Sequence, residues 1–224
     1  ERVEPSDMPE LERYILHRLA ELDGQVRAGY RAFDFQGVFS AVFTFCTVEL
    51  SAFYFDIRKD TLYCDGDSLR ARSARTVMDL LFERLTTWLA PVLVFTMEDV
   101  WLSRFPDSEG SVHLTDMPET PMAWMDEALA KKWSHVRRAR RVVNAALEVQ
   151  RADKVIGASL EAAPIVYVQD ADMLAALKSV PFEDICITSA VSLTDNPISD
   201  QAFRLPEIEG IGVEFEKAEG AKCE

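Results

Sequence analysis

Histidine and cysteine are scarce in this chain of 224 residues, with three of the one and four of the other. His17, His113 and His135 have neither zincin nor zinc-finger spacing. Cys46, Cys64, Cys186 and Cys223 fall at no disulfide-framework spacing, which points to a reducing, cytoplasmic setting. Cys46, within Phe43-Thr44-Phe45-Cys46, reads as a small buried hydrophobe. The chain has no G-x-x-x-x-G-K-S/T or G-x-G-x-x-G phosphate loop and no G-x-S-x-G nucleophile elbow. No uninterrupted apolar run approaches the roughly 20 residues of a bilayer span, so no membrane partner is expected. Glu1-Arg2-Val3-Glu4-Pro5 carries neither a signal-peptide core nor an initiator Met, the pattern expected of a segment from a longer polypeptide. The acidic pairs Glu98-Asp99 and Glu183-Asp184 are adjacent, point to different faces and read as solvated charge. His17, among charged neighbours on the first helical stretch, reads as a surface residue. No constellation suited to catalysis emerges.

What is present is ordinary globular material, 48% hydrophobic and 28% charged, enough for one good core or a large and a small one. The net charge of −14 argues at first against a nucleic-acid partner. Its distribution argues otherwise. Residues 131–154 hold eight basic residues (Lys131, Lys132, Arg137, Arg138, Arg140, Arg141, Arg151, Lys154) against Glu148 and Asp153 alone. That strip carries +6 and leaves −20 on the remainder of the −14 chain. A basic strip on an acidic body fits a docking face with a chosen orientation.

The first 155 residues or so read as helices. Asp7-Met8-Pro9-Glu10 has capping-box form, and Leu11, Ile15, Leu19, Leu22 and Val26 then recur on one face to about Ala28. Phe35 to Tyr54 is apolar over so wide an arc that a central helix touched by several neighbours is expected. Asp67 or Ser68 is placed to cap a third helix over 69–89. Val94 to Ser103 forms a fourth, and a polar connection with Pro106, Gly110, Pro118 and Pro121 follows. The last helix is expected over Met122 to Arg151, with Met125, Leu129, Trp133, Val136, Val143 and Leu147 inward. Lys131, Arg138 and Arg141 then face away from that stripe, either to track phosphates or to form an ordinary solvated helix face. Arg140 lies near the stripe, to snorkel past the core or pair with an acid from another helix. Beyond Lys154 the pattern predicts strands at Pro164–Val168, Asp184–Leu193 and Ile211–Phe215 and a short helix over Ala171–Leu177. The fold class expected is mainly α, a helical bundle with a small α/β appendage.

The same segments resemble, in order, the C-terminal half of bacterial-type isoleucyl-tRNA synthetases. Met8 to Leu19 (MPELERYILHRL) resembles the first bundle helix of that family. Phe39 to Cys64 (FSAVFTFCTVELSAFYFDIRKDTLYC) matches its long second helix and the exit D-x-x-K-D-R-L-Y, except that Thr61 stands where the family usually has Arg. Leu89-Ala90-Pro91 followed by Met97-Glu98-Asp99-Val100-Trp101 resembles its L-A-P…E-x-W block. Arg151 to Ala162 (RADKVIGASLEA) resembles R-x-x-K-x-I-G-x-S-L-E-A, and Glu183 to Ser189 (EDICITS) a strand of its junction domain. Lys217 to Glu224 resembles the lead-in to a C-x-x-C zinc segment, of which only Cys223 is present.

The resemblance implies an antiparallel helical anticodon-binding bundle over 1–155 and a small α/β junction domain over 156–224, cut at the start of the zinc segment. It implies isoleucine tRNA as partner, alongside the catalytic and editing domains of a parent ligase that uses ATP, Mg and structural Zn. No cofactor is expected in the segment itself, since the H-I-G-H and K-M-S-K-S signatures are absent and the single thiolate of Cys223 cannot hold zinc. Expected tRNA contacts are Arg58, Lys59, Arg72, Arg75 and Trp101 on the bundle, with Arg138, Arg141, Arg151 and Lys154 beyond it. Trp101 reads equally well as core. Two other readings stay open: the matching region of a valyl- or leucyl-type synthetase, against which EDICITS and the KAEGAKC tail argue, and a stand-alone helical interaction protein without tRNA binding.

Overall fold

The computed structural model describes residues 2–106 and 110–220, which form two compact units, Glu1–Asp126 and Glu127–Glu224.

The first unit is all helical. Helix α1 (Glu10–Arg31) buries Leu11, Ile15, Leu19, Leu22 and Val26, as their spacing requires. Its start differs from the capping box expected at Asp7. Pro9, extended at ψ 159, is the N-cap, and Asp7 ends a separate 3-10 turn over Pro5–Asp7. Pro9 holds the residue before it, Met8, extended, so Asp7 is cut off from the helix and the Pro9 carbonyl accepts its first N–H, from Arg13 at 3.2 Å.

A tight Schellman-type turn ends α1, with Asp34 N–H donating to Gly29 O at 2.9 Å and Phe33 left-handed at φ 58. Glycine usually fills that position, and a larger residue there costs about 1–2 kcal/mol. Helix α2 (Phe35–Thr44) follows, capped by Asp34, whose carboxylate accepts from Gly37 N–H at 2.9 Å. Gly29 lets α2 approach α1: a Cβ there would lie 2.5 Å from Val38 Cγ2.

The helix continues without interruption through a π-helical stretch, Phe45–Phe55, into α3 (Asp56–Cys64). With i→i+5 bonding, side chains return to the same line after ~4.4 residues rather than 3.6. Phe45, Glu49, Leu50, Phe53 and Tyr54 are accordingly the buried set. The wide apolar arc is not all core, however. Phe35, Phe39, Phe43 and Val48 are 39–59% exposed, so part of the arc is left uncovered by the described residues. By length and composition the run Phe35–Cys64 is apolar enough to cross a membrane, the one such helix among the described residues. Its inner face packs on α1 and carries the buried charges Glu49 and Arg58, the arrangement of a bundle helix.

Ser68 caps α4 (Leu69–Leu89) through Ala71 N–H at 3.1 Å, and α5 (Val94–Arg104) packs on it. The connection toward Asp126 is held by side chains. Arg27 donates to Pro118 O at 2.7 Å. Arg84 donates to Glu119 O at 2.8 Å and to Thr120 at 3.1 Å, with its guanidinium 4.5 Å from the Trp124 ring centroid. Glu98 is no solvated charge, since it accepts from Ser111 Oγ at 2.7 Å and Val112 N–H at 3.1 Å. His17 is fully buried rather than exposed, its Nδ1 accepting from Asp126 N–H at 2.9 Å. Cys46 is half-buried.

The second unit opens with α6 (Glu127–Ala152), later than expected, because Met122–Trp124 is a separate 3-10 turn and Met125 is extended. Sequence pattern assigns this helix to the bundle with a boundary near 155. Its contacts place it instead with the α/β elements, α7, α8 and β3. The three-stranded sheet has order β2-β1-β3, with β1 (Ile165–Val168) parallel to β2 (Ser192–Thr194) and antiparallel to β3 (Ile211–Glu214). Val166 and Val168 of the central strand are buried, and Val166 pairs with Val213. Gly212 is required by close approach, since a Cβ would lie 2.3 Å from Ile198 Cγ2.

Helix α7 (Ala171–Lys178) is capped by Asp170. The strand expected over Asp184–Leu193 is in fact helix α8 (Phe182–Cys186) and a short β2. Pro181 at the N-cap with Glu183 and Asp184 in the first turn outweighs the β-branched residues after it, and Ile187, left-handed at φ 59, ends the helix. Arg140 is buried rather than snorkelling, and a backbone carbonyl is among its partners. Its Nε–H donates to Ile185 O at 2.8 Å, at the α8 carboxyl end.

Candidate nucleic-acid interface

Helix α6 carries the strongest concentration of positive charge, and its periodicity sorts that charge by face. Leu129, Trp133, Val136, Val143 and Leu147 are buried with Arg140, while Lys131, Arg138 and Arg141 are exposed. Lys131 and Arg138 stand seven residues apart, two turns along one line of the helix. Arg141 pairs with Glu207 at 2.8 Å, but its side chain is 65% exposed. Such a surface pair is worth about 0–1 kcal/mol and yields readily to a phosphate. Arg138 is one of the positive groups that, after the Met173 N–H and with His135, hold the Asp170 carboxyl below its usual range.

Arg151 and Lys154 come together at the carboxyl end of α6. They line an open cavity of about 440 Å³ with Val155, Ile156, Gly157 and Glu161. Arg151 bonds Glu148 and the Ser159 hydroxyl, which fixes its guanidinium at the cavity edge. Lys154 is left-handed at φ 59 in a Schellman turn, with Val155 N–H donating to Gln150 O at 2.9 Å. A lysine where glycine is favoured is a local cost that the fold tolerates, with the ammonium left exposed.

The bundle residues fare unevenly. Arg58 is withdrawn from the surface: its Nε and Nη2 donate to Glu12 at 2.6 and 2.9 Å, with Tyr54 on the same carboxylate at 3.2 Å. Only 7% exposed, it offers nothing to a ligand. Lys59 and Arg72 are exposed on α3 and α4. Arg75 is exposed and is held on the turn before α4 by the Gly66 carbonyl and by Asp67 at 3.5 Å. Trp101 is half-buried, stacked on Phe82 with ring centroids 6.1 Å apart and packed against Ala90, Met97 and Val112, a core role.

The groups that position the connection, Arg27, Arg84 and Glu98, escaped sequence reasoning because their partners are backbone atoms far along the chain. Among the described residues no three His, Cys, Asp or Glu side chains gather as metal ligands. Cys223 lies outside the described residues.

Comparison with known proteins follows the same lines. The family described as the anticodon-binding domain of tRNA ligase matches residues 12–167. The isoleucine--tRNA ligase of Ruegeria pomeroyi is 63% identical over the whole chain, and those of Agrobacterium fabrum and Brucella abortus are 53% and 52% identical. The chain spans 23% of the length of each of these relatives.

Proposed function

Since the chain belongs to the family of anticodon-binding domains of tRNA ligases, we propose that it is the part of an isoleucine--tRNA ligase that grips the anticodon stem-loop of isoleucine tRNA. The observation that carries this reading is the exposed cationic side of α6, Lys131, Arg138 and Arg141, continued at its end by Arg151 and Lys154. These cations stand on an otherwise acidic chain of net charge −14. Phosphates are attracted to that side and repelled elsewhere, which selects an orientation before any base is read. Lys59, Arg72 and Arg75 supply further exposed cations on the first unit.

Contacts of this kind position an RNA rather than transform it. Aminoacylation, with its ATP and Mg, and any structural zinc, belong in this reading to other parts of the ligase. The chain's own contribution is binding energy and orientation, delivered to a reaction elsewhere.

Nuclease protection of isoleucine tRNA by the purified chain at low salt tests the reading. Protection confined to the anticodon stem and loop is expected. Uniform protection along the tRNA, or none, would overturn it.

A further inference from the structure

We propose that the exposed aromatic strip at the α1–α2 turn, formed by Phe33, Phe35, Phe39 and Phe43, is a stacking surface for unpaired RNA bases. The inference rests on the reading of the chain as a tRNA binder and names a surface that the basic residues do not include.

Three observations converge on this strip. The rings are arranged as a platform rather than a core. Phe39 and Phe43 lie parallel to within 18° at a centroid distance of 6.1 Å, and are 39% and 59% exposed. Phe35 meets Phe33 edge-on at 6.3 Å and Tyr30 at 5.9 Å, extending the aromatic surface around the turn. Second, Phe33 is 79% exposed while held at φ 58, a conformation suited to glycine. Its ring adds little burial to the fold and its backbone opposes it, the pattern of a residue retained for contact with something else.

Third, the segment that carries the strip is itself poor in acids. From Gly24 to Val48 the only acids and bases are Arg27, Arg31 and Asp34, in a chain with 38 acidic residues. Arg27 is engaged by Asp23 and Pro118 O, and the Asp34 carboxylate by its cap. Arg31, two residues before Phe33 in the chain, is exposed, so its guanidinium is open to a backbone phosphate. Aromatic faces beside a cation are what single-stranded RNA loops use for bases splayed out of the stack.

The test uses the full chain and an isoleucine tRNA anticodon stem-loop carrying 2-aminopurine in the loop, followed by fluorescence quenching and affinity. Phe39→Leu, Phe43→Leu and Phe33→Gly are compared with wild type. Leucine keeps the apolar volume and removes the π face, and glycine at position 33 relieves the left-handed strain. Quenching on binding to wild type is expected, with each substitution weakening affinity about five- to ten-fold. Phe33→Gly should do so while holding or raising the melting temperature, which separates contact from folding.

Wild-type affinity unchanged in all three variants would overturn the stacking surface and leave tRNA binding standing. Failure of wild type to bind any tRNA would remove both. A loss of self-association in the variants, by sedimentation, with RNA affinity intact would reassign the strip to a protein contact and overturn the proposal.

Discussion

Glu12 and Arg58 form a two-pronged ion pair inside the first unit, Nε to Oε1 at 2.6 Å and Nη2 to Oε2 at 2.9 Å, with Glu12 wholly buried. The pair joins α1 to α3 across 46 residues of sequence, and Tyr54 shares the carboxylate. Removing one partner strands the other charge away from water. Arg58→Met is expected to cost about 3–5 kcal/mol by urea denaturation, and the double change Glu12→Leu, Arg58→Met to recover much of it. A single-variant loss below about 1 kcal/mol would show the pair to be solvated. Where Arg58→Met stays folded, its RNA affinity should match wild type, because the guanidinium does not reach the surface.

His17 plays the same kind of part for the end of the first unit. Its Nδ1 is the acceptor for Asp126 N–H, 109 residues away, in a site with no exposure. His17→Ala leaves that donor unpaired at a cost of about 1–3 kcal/mol. His17→Asn, whose amide oxygen can replace Nδ1, is expected to restore part of the loss. Equal urea midpoints for the two variants would contradict the assignment of the bond.

Asp170 gives the second unit a pH dependence of known sign. The Met173 N–H, followed by His135 and Arg138, holds its carboxyl below the ordinary value. A depressed carboxyl stabilises the fold above its unfolded pKa, about 3.9, and the contribution is lost as pH falls through the lower folded value. The melting-temperature gap between wild type and Asp170→Asn should therefore narrow below about pH 4. A gap that widens over that range would reverse the sign.

Arg138 and Arg141 are exposed, so neutralising them should disturb binding more than folding. Arg138→Gln with Arg141→Gln is expected to cost no more than about 1 kcal/mol of stability, chiefly from the lost Arg141–Glu207 pair. The slope of log affinity against log salt for tRNA should fall by about two, one unit for each arginine that no longer neutralises a phosphate. An unchanged slope would take this side of α6 out of the interface.

Helix α1 was legible in the sequence because Leu11, Ile15, Leu19, Leu22 and Val26 share one face whatever they pack against. The exposed cations of α6 were legible for the same reason. Arg58 and His17 were not, since their burial depends on Glu12 and Asp126, partners that periodicity does not reveal. The strip of phenylalanines was hidden by its own apolarity. Phe39 and Phe43 look like core because the whole stretch is apolar, whereas α2 turns Val38 and Val42 inward and leaves the two phenylalanines outside. Over 182–193 the β-branched residues Ile185, Ile187 and Val191 pointed to a strand, and the helix-starting chemistry of Pro181, Glu183 and Asp184 prevailed.

The most direct measurement is the affinity of the chain for two otherwise identical isoleucine tRNA transcripts, one with its own anticodon and one with a valine anticodon, at the same salt concentration. Recognition of the anticodon loop requires the native transcript to bind at least about ten-fold more tightly, because each misread base costs hydrogen bonds or stacking worth about 1 kcal/mol or more. Equal affinity for the two would contradict it and leave only attraction between basic residues and phosphate.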